Sequence, residues 1–498
     1  MSHILILPIL MPLMTAAAGL LLWNRPRAQQ VFSLAGSAAH VAACLLVLEA
    51  VRSRGIQVLQ VGNWPAPFGI SLVADHLSAL MLVVTGILGA ATAAYARGEL
   101  VLELRSNGFH TLFHVLLGGI SGAFLTGDFF NLYVWFEVIL MASFGMLLWG
   151  QKREQLDGAV KYVVINLLAT LFFLMGLGLL YGMTGTLNFA HLHQKVMALE
   201  AKGPLTAVAL IFMAAFGIKA GVFPFFFWLP ASYHTPAVAV SSLFAGMLTK
   251  VGVYALFRAF SMVFIHDNDI THTVLLVVAG FTMVTGVLGA AAQKEFRRVL
   301  SFHIISQVGY MVLGLALWTP LAVAGAVFYL VHHMIVKANL FLVSGLGRDL
   351  TGTMELRRMG GIARSSPLVA ALFFIPAFSL AGFPPLSGFW PKMLLILSSL
   401  QEQAYGVAAV AVAVGFMTVF SMVKIWINAF WKPLPDPSAA NAPAALSFWK
   451  IAPVCALAML TLLIGVGAET VYQLASAAAA EVMHPERYVQ VVLKGALP

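Results

Sequence analysis

Charge is scarce in this chain: 9% of its 498 residues are Asp, Glu, Lys or Arg, against 61% that are hydrophobic. A soluble protein of this length would form about three domains with charged surfaces, so the composition points instead to lipid as the solvent. Cysteine is nearly missing too. Cys44 and Cys455 stand singly in apolar stretches without CxxC spacing, which excludes an iron–sulfur cluster, a zinc site and a redox centre of the chain's own. Phosphate loops, nucleophile elbows and dinucleotide fingerprints are not evident, so no cofactor is expected and the chain does not read as an enzyme. The apolar run from Ile4 has no basic segment before it and no cleavage signature, so it reads as a retained first helix.

The net charge of +9 does not signal nucleic acid, because the basic residues fall in short connections such as Asn24 to Gln29 and Gln151 to Gln155. What fills the rest is one apolar run after another. A helix needs about 20 apolar residues to cross the hydrocarbon, so the chain holds about fourteen transmembrane helices and no room for a soluble domain. The fold class is all-α integral membrane, with a third window at residues 71–97 and a fourteenth at 450–476. Alternate connections carry Arg25 and Arg27, Arg97 and Arg105, Lys152 and Arg153, Lys294 with Arg297 and Arg298, Arg348 with Arg357, Arg358 and Arg364, and Lys432 with Lys450. The positive-inside rule makes that side cytoplasmic and puts both termini opposite. Arg52 and Arg54 are exceptions to the pattern.

Two spans carry proline in their middles: Lys219-Ala-Gly-Val-Phe-Pro224 in the seventh and Ala381-Gly-Phe-Pro384-Pro385-Leu-Ser-Gly388 in the twelfth. Proline removes a helical hydrogen bond, and irregular backbone at membrane depth is tolerable only where protein or water covers it. Breaks five helices apart suggest an internal repeat, and an odd number of helices per repeat makes it inverted. Two unrelated kinks are the alternative.

A charge at the bilayer centre costs about 2.5–3.5 kcal/mol, so ionisable residues there are functional candidates by default. They form a row: Glu137 in the fifth span, Lys219 in the seventh, Lys250 in the eighth, His332, His333 and Lys337 in the eleventh, and Lys392 just after the twelfth-span break. His333 and Lys337, four apart, share a helix face. Burial lowers a lysine pKa and a nearby carboxylate raises it, so moving a partner loads or releases a proton; Glu137 is the expected partner of Lys219. Snorkelling or static ion pairing is the alternative for each, and is preferred for Lys161, Arg258 and Lys424 near predicted helix ends. His110 with His114, and Asp75 with His76, read as structural or helix-end polar groups. Adjacent His332 and His333 point about 100 degrees apart and make a poor metal site.

Five segments resemble the proton-translocating antiporter-like subunits that join respiratory complex I to the Mrp-type (Pha/Mnh) cation/proton antiporters. They are Asn131 to Glu137, Lys219 to Pro230, Ser301 to Tyr310, His332 to Leu342 and Ala381 to Lys392. Within that family the length and Lys392 look most like the D-type member of an Mrp complex. The resemblance implies two inverted five-helix repeats, residues 107–265 (helices 4–8) and 266–432 (helices 9–13), between N-terminal helices 1–3 (1–106) and a C-terminal loop and helix 14 (433–498). It implies that Glu137 and Lys219 form a coupling pair, Lys250 a bridging site, His332, His333 and Lys337 a central relay, and Lys392 a terminal exchange site. It further implies a bacterial cell-membrane complex with A, B, C, E, F and G type subunits that exchanges Na+ or K+ for protons. A redox-linked pump of complex I or a membrane-bound hydrogenase is the alternative, and a stand-alone solute transporter a second; a lysine row spread over many helices argues against the latter.

Overall fold

The computed structural model describes residues 2–103, 108–150, 152–199, 203–435 and 446–494. Arg105, Gln151 and the boundary expected at 106–107 lie outside them.

The chain opens with α1 (Leu7–Leu21) and α2 (Pro26–Arg54), both beginning near proline, where a missing N–H costs nothing. A two-stranded antiparallel ribbon of β1 (Gln57–Gln60) and β2 (Ser71–Ala74) follows, and then α3 (His76–Glu103). The third span therefore starts at His76 rather than residue 71, because the apolar residues Leu72 to Ala74 belong to a buried strand. Next come α4 (Phe109–Leu125), α5 (Phe129–Leu147), α6 (Arg153–Thr184), the short α7 (Phe189–Met197), α8 (Gly203–Ala220), α9 (Trp228–Ser232) and α10 (Val238–Met262). The later half holds α11 (Asn268–Ala292), α12 (Phe296–Leu317), α13 (Pro320–Thr351), α14 (Ile362–Ser365), α15 (Pro367–Ala381), α16 (Phe389–Gln401) and α17 (Tyr405–Ile425), with a π-helical turn at Trp426–Trp431. The chain continues through α18 (Phe448–Val466), α19 (Ala468–Met483) and α20 (Glu486–Leu493). Twelve described helices are long and apolar enough to cross a membrane, and the shorter apolar α4 and α15 make up the expected number. The fourteenth window divides at Gly467: α18 is the span, and α19 turns back to pack on α13 and α3.

The two halves repeat one another. The connection before α5 bridges to the one after α6, Asp128 to Asn188, and the connection before α12 bridges to the one after α13, Glu295 to Glu355. Each pair opens with a carboxylate capping its helix, Asp128 accepting from the Asn131 amide and Glu295 from the Arg298 amide. Glu295 and Glu355 lie on the basic face, where Arg348 meets Glu99 at 3.5 Å and Lys450 meets Asp349 at 2.7 Å. Asp128 and Asn188 lie at the other face, near β2, whose Ser71 hydroxyl accepts from the Asn188 amide. Equivalent bridges on opposite faces are the mark of an inverted repeat. The N-terminal residues Ser2–Ile6 pack on β1, and Gln60 of β1 donates to the Val492 carbonyl of α20, so both ends of the described chain share one face.

At the centre α10, α12 and α13 are almost wholly buried. Close packing there needs small residues: a Cβ on Gly252 of α10 would lie 2.5 Å from the Ala220 amide nitrogen. Arg258 does not snorkel. Its side chain is 4% exposed and donates to Asp75 at 2.5 Å and to the Tyr254 hydroxyl at 2.9 Å, tying α10 to the start of α3. Lys424, by contrast, behaves as a helix-end group, donating to the Ala291 and Gln293 carbonyls at the end of α11, while Lys161 pairs with Asp157 in the open. Arg258→Ala leaves Asp75 buried without its charge partner and should cost about 3–5 kcal/mol, whereas replacing both residues by apolar ones should cost less. Thermal melts of the purified protein compare the three; a single variant that melts like wild type would remove the pair from the fold's determinants.

Candidate functional site

The breaks in the seventh and twelfth spans have the same construction. α8 stops at Ala220, and Gly221 (φ +75°) donates to the Gly217 carbonyl, which Val222 also reaches. α15 stops at Ala381, and Gly382 (φ +96°) and Phe383 both donate to the Phe378 carbonyl. Only glycine adopts that left-handed backbone without strain. Side chains then satisfy the freed groups: the Phe223 amide donates to the Thr282 hydroxyl at 2.9 Å, and the Gly388 amide to the Ser379 hydroxyl at 3.2 Å.

At the first break Lys219 does not meet Glu137 directly. The Thr170 hydroxyl of α6 lies between them, donating to Glu137 at 2.7 Å and accepting from the Lys219 ammonium at 3.5 Å. The ammonium also lies 5.3 Å from the centre of the Phe136 ring. Beside it is a cavity of about 20 Å³, room for a water molecule, lined by Tyr162, Asn166, Trp228 and apolar side chains. Thr170 was not legible in the sequence, since a threonine in an apolar helix most often bonds its own backbone.

Beyond the break, Lys250 is fully buried and donates to the Ala245 carbonyl at 2.5 Å. Lys337 donates to the Leu300 carbonyl of α12 at 3.2 Å, and Lys392 to the Leu380 and Ala381 carbonyls at 2.8 and 3.1 Å, capping the end of α15. Three of the four lysines thus rest on backbone carbonyls, with no carboxylate bonded to them among the described residues. His332 bonds Ser387 at 2.8 Å, and Ser387 bonds Ser379 at 2.9 Å. His333 has no protein partner on either ring nitrogen and lies within Coulombic range of Lys250, Lys337 and Lys392. His303 of α12 is a further candidate that sequence reasoning misses: it is fully buried, has no hydrogen-bond partner on either nitrogen, and lies within Coulombic range of Lys337 and Lys392. Its only signal is a lone histidine inside the segment Ser301 to Tyr310. The structure therefore gathers Glu137 with Lys219, and Lys250 with His332, His333, Lys337 and Lys392. Among the described residues no direct hydrogen bond joins one lysine to the next, and no group of three metal-ligating side chains exists.

On the basic face a basin of about 670 Å³ opens below the first break, lined by charged residues of both signs, among them Arg153, Asp157, Glu295 and Arg298, with Ala231 of α9. His234 in its wall is held down to about 4 by burial and by Arg298 and Arg297, so it is neutral at ordinary pH.

A many-span membrane protein with two broken helices in inverted repeats and ionisable groups buried between them belongs to the transporter-like class. The chain belongs to the family described as NADH:quinone oxidoreductase/Mrp antiporter, TM, whose profile matches residues 126–421. It is 44% identical to the D-type subunit of a Na(+)/H(+) antiporter of Alkalihalophilus pseudofirmus, over 99% of this chain and all of that one. It superposes on a chain of the Mrp complex from Dietzia sp. with TM-score 0.91 at 34% identity, covering 99% of this chain and all of the other. A chain of an archaeal membrane-bound sulfane sulfur reductase superposes with TM-score 0.89 at 25% identity, again over 99% and 100%. The chain is accordingly an antiporter-type multi-pass membrane subunit.

Gly388 tests how tightly the second break is built. An alanine methyl there would lie 1.9 Å from the Ser379 carbonyl oxygen and 2.8 Å from His332, whereas Gly406 has open space around it. Gly388→Ala should destabilise by about 1–3 kcal/mol or more, and Gly406→Ala should not, as read by thermal melts; equal melts would mean that the break yields freely.

Proposed function

We propose that the chain is the proton-translocating subunit of a multisubunit Na+ or K+/proton antiporter, and that protons move along Glu137, Lys219, Lys250, His333, Lys337, His332 and Lys392. The observation that carries this reading is the partners of the lysines. A lysine bound to a carbonyl or hydroxyl dipole keeps a hydrogen bond whether charged or neutral, while one locked to a carboxylate must leave a bare charge behind on losing its proton. Thr170 suits the gap between Glu137 and Lys219, because a hydroxyl both donates and accepts. Imidazoles can take a proton on one nitrogen and release it from the other, which fits His332 and His333 between the lysines. Internal water completes the gaps, since buried polar atoms without a protein partner call for one.

In this reading residues 107–265 and 266–432 act as two inverted half-channels. The basic face is cytoplasmic, both termini lie outside, and the basin below α9 is the inner mouth. The resemblance to Mrp subunits supports partners of the A, B, C, E, F and G types in a bacterial inner membrane. The chain acts as a secondary transporter subunit, and the cation path belongs at least in part to its partners, since the row supplies one carboxylate where a bare sodium ion needs several oxygens.

Everted vesicles holding the whole complex provide the test, read as collapse of a preformed proton gradient on adding sodium or potassium. Wild type should respond, Lys219→Ala should lose about 100-fold or more, Thr170→Val should lose about tenfold, and Thr170→Ser should keep its rate. Loss of response in an assembled Lys219→Ala complex supports the reading. A wild type indifferent to both cations, but building a gradient on NADH oxidation that Lys219→Ala weakens, overturns it in favour of a redox-driven pump.

A further inference from the structure

A second buried polar array lies outside that row, between α2 and α4. Four polar side chains make two rungs: Ser33 bonds the His114 ring at 3.0 Å, and His40 bonds Ser121 at 3.0 Å. The rungs are seven residues apart on both helices, two turns, and the roles alternate: hydroxyl on α2 and imidazole on α4 in the first, the reverse in the second. All four side chains are fully buried. Ser37 stands one turn above Ser33, buried and without a protein partner on its hydroxyl, between the rungs. His110 stands one turn below His114, 3% exposed, with both ring nitrogens unpartnered. The free nitrogens of His40 and His114 are unpartnered as well.

So dense a set of open donors and acceptors is costly between apolar helices, because each unmet buried group carries a penalty of about 1–3 kcal/mol. Packing alone would be served better by leucine at these positions. The ladder runs from His110, on the first turn of α4 at the basic face, to Ser121, a rise of about 17 Å at 1.5 Å per residue, over half of a hydrocarbon layer about 30 Å thick. Five residues beyond Ser121, just past the end of α4, lies Thr126, whose hydroxyl donates to the Asp128 carbonyl in the polar layer of the opposite face. The ladder therefore reaches nearly from one polar layer to the other.

We propose that this array is a second proton route, separate from the lysine row and conducting over hydroxyls, imidazoles and intervening water. The inference rests on the antiport reading. A proton arriving at His110 is passed to His114, which binds it on one nitrogen and releases another from the second; Ser33 and Ser37 hand it to His40, and Ser121 delivers it toward Thr126. Each imidazole ends with its tautomer reversed and its charge unchanged, so nothing is consumed. A bare cation does not fit, because the ladder holds no carboxylate and its histidines do not group as metal ligands.

Two measurements on the whole complex test this. The first is cation-dependent proton flux in everted vesicles for wild type, His114→Leu and His114→Gln. Glutamine keeps a hydrogen-bonding partner for Ser33 but cannot take and release protons at two nitrogens, so both variants should lose several-fold in rate while the complex assembles. A wild-type rate in assembled His114→Gln overturns the route and leaves the ladder a static tie. The second is hydroxyl-radical footprinting, which oxidises buried side chains beside internal water without requiring transport. Oxidation of His114 and His40 supports a hydrated ladder, and their complete protection overturns the proposal even where neither variant assembles. If wild-type flux ignores the cation, the antiport reading fails while the footprint still decides whether the ladder is wet.

Discussion

The constraint on which everything else depends is that hydrocarbon cannot hydrogen-bond, so each polar atom inside the membrane must find its partner in the protein or in enclosed water. Helices meet this requirement for their own backbones. The two breaks violate it, and the surrounding chain is arranged around that violation. Thr282 from α11 accepts the Phe223 amide, Ser379 accepts the Gly388 amide, and Lys392 reaches back to the Leu380 and Ala381 carbonyls. The last contact sets an ammonium against the negative end of a half-helix, where the dipole of the aligned peptides favours it. A break in a helix thus creates a site for a cation in the same step by which it creates unmet carbonyls.

Two kinds of buried charge follow. Arg258 with Asp75, and Lys450 with Asp349, are oppositely charged pairs near the ends of spans, and they tie helices together. Such pairs break only at the expense of an isolated buried charge. The central lysines rest on neutral dipoles instead. A neutral lysine can keep a hydrogen bond of the same kind to such a dipole. Charge pairs that tie helices together thus lie toward the two membrane faces, and on the proposed reading the exchangeable protons lie at the middle.

The fold is legible in the sequence in most respects because lipid makes a coarse pattern sufficient: each of the fourteen apolar windows corresponds to a spanning helix or a broken pair. Sequence and structure part where an apolar segment is satisfied by something other than spanning. Leu72 to Ala74 are buried in a two-stranded ribbon, and the residues after Gly467 turn back over α13 and α3. Hydropathy does not separate those outcomes. For the site, the intramembrane lysines and Glu137 announce themselves, since charge is costly there. Thr170, Ser387 and His303 do not, because hydroxyls and single histidines occur in apolar helices for ordinary reasons and their meaning lies in what another helix brings opposite. Arg258 reads wrongly as a snorkelling group for the same reason: its partner Asp75 is far away in sequence.

The inverted repeat adds a directional argument. Repeating one unit upside down puts the first break near a basin on the basic face, and it puts the second near a cavity of about 300 Å³ on the other face, lined by Phe328 of α13, Trp390 of α16, and Glu469 and Tyr472 of α19. The two openings thus belong to different halves and to opposite faces. On the proposed reading, a proton that enters through one repeat and leaves through the other must travel sideways at mid-membrane, through Lys250, His333 and Lys337. Those three lie on α10 and α13, among the most enclosed helices of the protein, where shielding from water keeps the Coulombic coupling between successive sites strong. On that reading a change of charge at one of these three sites is felt by the next through the low-dielectric centre, so the half-channels would couple without a large movement of the scaffold around them.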